Sequence, residues 1–396
     1  MPTEISDWND LDAVRNDLDG DYVLVNDLDE DTDGYSGIGD DFEPIGDGGD
    51  GFTGQLDGDS FEIRDLVIDK PDETFVGLFG QLGTASSVGG NVFDLTVSGD
   101  VTGAGESFDE GTGMLAGTVR GDTQVTNVTV EGQVSQPNGD FAAGGLVGAA
   151  RDEDTELKIE SCISDVDVVA NTTENVAGLV GYLFPDDDGM VIRESYAFGS
   201  VEGNENVGGL VGYSNITVTE CYAFGSVDGD DGVGGFVGEN AETVTECYAF
   251  GSVDGDDGVG GFVGQNNETV TECYAVGSVT GDTNVGGFIG DSSGDEINSY
   301  WDTESTGQDT SDGGTGLTTD EMQGSEAETN MDGFDFTDTW DTVEEGNIYG
   351  DTTAVDGYPI LQSIDGETQV IAQRAFPADA GLYVWTGQEW KKVAGV

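Results

Sequence analysis

The sequence predicts an all-β protein wound as a right-handed parallel β-helix, with a short helical cap at the front and a small β segment at the back. Three observations carry this prediction. A six-residue signature of small residue, glycine, Leu or Phe, aliphatic residue and glycine starts at Phe75, Thr112, Ala143, Val176, Val207, Val233, Val259 and Val285. Its spacing settles from 37, 31, 33 and 31 residues to 26, 26 and 26. Between signatures lie short β-type runs such as GGFVG and ETVTECYAF, separated by Gly, Asp and Asn corners and without a 3.6-residue period. A short strand cannot bury its apolar face alone, whereas stacked equivalents build a continuous core and pair their backbones in parallel. The handedness of parallel crossovers favours the right-handed coil. Coils spaced ~4.8 Å apart make a core of roughly 40 Å.

Each column of such a stack has an expected task. Gly212, Gly238, Gly264 and Gly290 share one column, expected at a bend that glycine enters cheaply. Leu210, Phe236, Phe262 and Phe288 form an inward column. Tyr196, Tyr222, Tyr248, Tyr274 and Tyr300 form another, with Phe198, Phe224 and Phe250 two residues on. Facing outward, that aromatic stripe would be a glycan-stacking platform. Aligning it with Leu66, Leu95, Val128 and Ile163, and the phenylalanines with Ile68, Val97 and Val130, favours core packing instead. The adjacent column (Asp65, Asp94, Asn127, Cys162, Ser195, Cys221) reads as outer face or corner. VTECY against VTNV suggests one extra residue, hence a bulge, in the late coils.

A solenoid needs caps. Ser6 or Asp7 can N-cap a helix that puts Trp8, Leu11, Val14 and Leu18 on one face; Gly20 ends it and YVLV begins the first strand. After Tyr300, apolar anchors spaced by Gly, Asp and Thr loops suggest a segment laid over the last coil. The final stretch, AFPADAGLYVWTGQEWKKVAGV, reads as a hairpin or small β module turning at Gly387, either a plain cap or a tip element. The expected organisation is a cap at 1–21, a β-helix at 22–300, a closing segment at 301–363 and a C-terminal module at 364–396.

The chain has 82 acidic and 10 basic residues, no histidine and a formal net charge of −72. Such charge drives a compact fold apart in dilute buffer but is screened at molar salt, where the Debye length is ~3 Å. The composition therefore points to hypersaline surroundings. Without basic patches, neither nucleic acid nor anionic lipid is an expected partner. No apolar run reaches the ~18 residues a membrane helix needs. The start MPTEISDWND has no basic and apolar leader pattern, so synthesis in a cytoplasm without a signal peptide is expected. Cys162, Cys221, Cys247 and Cys273 are expected as free thiols, since stacked strands hold their Cβ atoms wider than a disulfide prefers and no metal spacing such as C-x-x-C occurs.

One loop carries a metal hypothesis. DEDTDGYSGIGD opens D-x-D-x-D-G like a calcium loop, with Asp29, Asp31, Asp33, the Tyr35 carbonyl and Asp40 as candidate Ca²⁺ ligands; a solvated acidic loop is the alternative. No cofactor is otherwise required. The DGDDG corners (Asp228–Gly232, Asp254–Gly258) could hold cations on the same terms. Carboxylates are too common for a pair to mark a glycosidase. A Ser-His-Asp triad is impossible without histidine, and no phosphate loop is present. The chain is not expected to be an enzyme.

The G-L-V-G signature resembles the GLUG repeat family, found in bacterial and archaeal surface proteins and adhesins. NDLD, EPIGDGGDGFTGQLDGDSFEIRDLVI and GLFG resemble that family's opening; SYWD, GLTTDEMQ, GFDF and YPIL resemble its closing. The resemblance spans roughly residues 5–362. It implies a β-solenoid presented on a surface and no single activity. TGMLAG departs from the motif, leaving the second coil the least secure. GLYVWTGQEWKKVAG also resembles C-terminal stretches of tailed-virus fibres. With no leader expected, the main functional expectation is a noncatalytic tail fibre or spike on the virion surface of a haloarchaeal virus. It would adhere to a host surface glycan or S-layer glycoprotein, contact other virion proteins and form a homo-oligomer, a trimer by analogy with viral fibres. The alternatives are an extracellular GLUG adhesin on the archaeal cell surface and a tailspike-type glycan hydrolase.

Overall fold

A computed structural model describes residues 1–84, 89–108, 110–151, 157–184, 190–343 and 357–364, together with the backbones of Ile371–Phe376, Asp379–Trp385 and Trp390–Lys392. The chain winds as a parallel β-helix. One coil shows the plan. Asp231–Gly234 lies in a seven-stranded sheet and Val237–Asn240 in an eight-stranded sheet. Val244–Thr245, Tyr248–Ala249 and Val253–Asp254 lie in the largest sheet, of 23 strands. The next coil stacks in direct register, Val233 on Val259, Val237 on Val263 and Tyr248 on Tyr274. This in-register pairing is why the sequence repeats almost letter for letter. The coil at TGMLAG is present, with Thr112–Gly113 and Ala116–Val119 paired on both sides.

The interior is one apolar cluster running from Ile5 to Trp301. The column Leu210, Phe236, Phe262, Phe288 points into it as expected; Phe236 and Phe262 stack at 4.7 Å, and Phe262 and Phe288 at 5.0 Å. The glycine column has a different cause from the bend expected. Gly212, Gly238, Gly264 and Gly290 lie within or beside strands and lack a left-handed φ. A Cβ on Gly238 would sit 2.4 Å from the Asn206 carbonyl carbon and 2.6 Å from Gly212 O, so close backbone approach excludes a side chain.

The tyrosine column needs a larger correction. The strand register stacks Thr96 on Thr129, Ile163 and Tyr196, while Val128 shares its level with Cys162, Ser195 and Cys221. VTNV and VTEC therefore have equal length, and no extra residue exists. Aligning Tyr with Leu95 and Val128 is one residue out of register, and a slip of one exchanges the faces of a strand. Cys221 and Ala223 point into the cylinder; Tyr222 and Phe224 point out of it. The cysteine column is thus interior, not outer face. The tyrosines are buried, but beneath a second apolar core outside the cylinder.

That second core is built by the closing segment. Met322, Ala327, Met331, Phe334, Trp340, Tyr358 and Leu361 cover the stripe of Tyr222, Tyr248, Tyr274 and Tyr300. Two hydroxyls bind the cover directly: Tyr274 donates to Pro359 O at 2.6 Å and Tyr300 to Asp332 O at 2.9 Å. The fully buried Asp302 accepts from Tyr358 OH at 2.5 Å and Thr319 Oγ1 at 2.7 Å, while its other oxygen caps the helix Thr303–Thr306. Trp301 ends the Ala223–Ala249–Ala275 column and fills the open mouth of the cylinder.

At the front, Asp7 caps the helix Trp8–Ala13, accepting from the Asn9 and Asp10 amides. Trp8, Leu11 and Val14 are buried and Leu18 packs on the same core. The first strand is Thr3–Ile5, ahead of this helix, pairing in parallel with Asp21–Leu24. At the back, Trp340–Val343 and Gly357–Leu361 begin a five-stranded antiparallel sheet completed by Ile371–Phe376, Asp379–Trp385 and Trp390–Lys392. This sheet runs across residue 363. The turn expected at Gly387 lies outside the described residues.

Candidate functional site

The acidic loop is positioned by the cap. Trp8 Nε1 donates to Asp29 O at 3.0 Å, and Trp8 N donates to Asp33 O at 3.1 Å. Asp29 Oδ1 accepts from Asp31 N and Thr32 Oγ1, and its Oδ2 lies 3.4 Å from Arg64. The Thr32 hydroxyl, ahead of Arg64, holds the Asp29 carboxyl below its usual range. The Tyr35 carbonyl, a candidate ligand, accepts from Ile38 N and Asp40 N, both at 3.1 Å. Asp40 Oδ1 takes the Gly37 amide at 2.5 Å. Asp29, Asp31, Asp33, Tyr35 and Asp40 are thus disposed along a turn-rich loop. Among the described residues, no group of three or more His, Cys, Asp or Glu side chains gathers where it could hold a metal ion.

The outer surface is organised as acidic columns. Glu174, Glu205, Asp231 and Asp257 stack in register, as do Glu202, Asp228 and Asp254. A further column, Glu194, Glu220, Glu246 and Glu272, has left-handed φ of 50–54°. Burial first, and like charge second, raise the carboxyls of Glu174, Asp228 and Glu272 above the ordinary range.

The interior thiols serve the backbone. The strand breaks at the left-handed residue, so the next amide misses its ladder partner. Cys221 N instead donates to Cys247 Sγ at 3.4 Å, and Cys162 N to Ser195 Oγ at 3.0 Å. Each thiol donates back to a carbonyl two residues earlier, as Cys221 Sγ does to Thr219 O at 3.1 Å. This explains why Cys and Ser substitute for one another in the column Cys162, Ser195, Cys221, Cys247, Cys273 and Ser299. All four cysteines are free and buried, and burial pushes the Cys162 thiol up to about 12. No described helix is long and apolar enough to cross a membrane.

The molecule is therefore a parallel β-helix with acidic outer columns and an aromatic face closed by its own C-terminal segment. Comparison with known proteins adds a motif and two relatives. Residues 203–228 match the GLUG motif. The chain is 33% identical over 202 residues to halomucin of Haloquadratum walsbyi, a match covering 43% of this chain and 2% of that protein. It is 34% identical over 125 residues to a protein of Evansella cellulosilytica provisionally named a Gly-rich membrane protein, covering 31% of this chain and 13% of that one. The chain thus spans a small part of either relative. A solved structure from Bacteroides ovatus, provisionally assigned as an immunoglobulin A1 protease, aligns over 91% of this chain and 92% of its own, with TM-score 0.45 and 18% identity.

Sequence reasoning missed the cover over the tyrosines. The signal was available: outward residues are Ser98, Glu131 and Asp165 in early coils and Phe198, Phe224 and Phe250 in late ones. An outer column that turns from polar to aromatic calls for a partner over the late coils alone.

Proposed function

We propose that this chain is a noncatalytic GLUG rod of the cell surface, adapted to hypersaline water, which adheres to surface glycans or glycoproteins. The observation that carries the reading is the unbroken core from Ile5 to Trp301 under stacked acidic columns, a stiff rod whose surface suits concentrated salt. The GLUG motif and the relatives, one named halomucin and one a membrane protein, support a surface location. Nothing in those comparisons supports a place on a virion. The reading needs no cofactor and no reacting group. A rigid solenoid places weak contacts at a distance, and several copies multiply them by avidity. Immunolabelling of intact cells tests the location, and attachment of the purified chain to such cells at molar salt tests adhesion. Label confined to virus particles, or no attachment, refutes the proposal.

A further inference from the structure

A cleft of about 580 Å³ opens between the cap and the first coil, lined among others by Arg15, Glu43, Asp47, Asp50, Glu73 and Phe75. That size suits a small ligand. Phe75 is its anomaly. Its φ is +59°, a region costly for a bulky residue. The conformation recurs along the fold: Gly111, next to Phe75 in the stack, lacks it, but Ala142, Asn175, Asn206, Gly232, Gly258 and Asn284 hold the same position in later coils with φ of 41–64°. Those residues are small or tolerate left-handed backbone, as the position requires. The phenyl ring is not required by the position. It is half-buried, stands outside both large apolar cores and lies against the Gly48 backbone, where a Cβ would meet it at 2.6 Å. The ring is therefore held at conformational cost on the wall of a cleft.

The lining selects the ligand class. Arg15 donates to Asp12, Glu43 O and Pro44 O, which commits its guanidinium. Among the described residues neither Asp50 nor Glu73 is salt-bridged, so the cleft disfavours anions. A metal ion gains nothing from a phenyl wall. A hydroxyl-rich ring gains on both sides: an apolar face against Phe75 and hydroxyl donors for the two carboxylates. We propose that this cleft is a subsite for one neutral saccharide ring, with Phe75 as its stacking wall; the choice of a glycan rests on the adhesion reading.

The test titrates the full chain at molar NaCl with the methyl glycosides of glucose, galactose, mannose and N-acetylglucosamine, followed by calorimetry or ligand-observed NMR. At least one should bind with a dissociation constant on the order of 1 mM. Phe75→Asn, which installs the residue found at 175, 206 and 284, should melt no lower than the native chain and bind at least about tenfold more weakly. Absence of binding, unchanged affinity in Phe75→Asn, or tighter Phe75-dependent binding of tetramethylammonium overturns the subsite. Cell attachment is measured in parallel. Attachment without glycoside binding ends the subsite and spares the adhesion reading; Phe75-dependent binding without attachment does the reverse.

Discussion

The acidic columns make salt a structural component, and the effect can be sized. Five register pairs in these columns are like-charged: Glu174 with Glu205, Glu205 with Asp231, Asp231 with Asp257, Glu202 with Asp228, and Asp228 with Asp254. Parallel strands hold such residues ~4.8 Å apart. In water each pair repels by ~0.9 kcal/mol, or ~4 kcal/mol together at low ionic strength. At 1 M salt the Debye length of ~3 Å cuts this to about a fifth. These pairs alone should therefore add ~3 kcal/mol of stability between dilute and molar salt, a large share of the 5–15 kcal/mol typical of a domain. Urea is the suitable denaturant, since it leaves ionic strength unchanged; its midpoint, followed by circular dichroism, should climb with NaCl. Asp228→Asn combined with Asp231→Asn interrupts four of the five pairs and should flatten the climb. A midpoint independent of salt, or the same slope in the double variant, would refute the reasoning.

Acid should help before it harms. Glu174, Asp228, Glu239 and Glu272 have raised folded-state carboxyls, so the fold binds more protons than the unfolded chain. Their contribution is full below the unfolded values near 4 and is lost as pH rises through the folded ones, so melting temperature should increase as pH falls from neutral toward ~4. The lowered carboxyls of Asp29, Asp47 and Glu321 work oppositely, and their contribution fades below pH ~4. Trp340→Ala should loosen the cover by ~3–5 kcal/mol, with raised hydrogen exchange in residues 319–343 and 357–364 and unchanged protection in the coils; uniform loss across the rod would contradict a separate outer core. Gly238→Ala should destabilise the cylinder by ~1–3 kcal/mol, read from thermal melts, because its Cβ meets the backbone of two strands of the preceding coil. The four thiols should resist an aromatic disulfide reagent until the chain unfolds, since all are buried; burial leads the upward shift at Cys162 and Cys247.

The repeat was legible because stacking imposes it on the sequence. Val233, Phe236 and Val237 recur at 26-residue steps as Val259, Phe262 and Val263, and all face one core. The Asp7 cap was legible for a local reason, an acceptor placed before Trp8 and Leu11. The outer aromatic face was not, because face depends on register and register on a left-handed residue. Glu220 carries φ of 52°, where a sequence gives Glu no special mark. Reading Asn127 as that residue's equivalent, with φ of 55°, restores the alignment. The calcium pattern of Asp29 to Asp40 is a spacing that a sequence shows, while the lone pairs that backbone amides and Arg64 take there are visible only in the fold.

The closing segment also shows why the aromatic columns begin where they do. An exposed run of tyrosine and phenylalanine would be an association surface on any rod. In this chain Tyr222, Tyr248 and Tyr274 are fully buried, while Tyr196 and Phe198, at the far end of the stripe, are less so. The aromatic letters therefore extend about as far as the cover does. Beyond it the same outward positions return to Asp165, Glu131 and Ser98, polar residues suited to contact with solvent. One chain thus writes two outer faces on one cylinder, and the length of the C-terminal cover sets the boundary between them. Shortening that cover should expose stacked tyrosines in order from Tyr222 toward Tyr300 and drive the rod into larger assemblies than the full chain forms at molar salt. If truncation before Trp340 left the assembly size unchanged there, burial of the stripe would have some other purpose than preventing association.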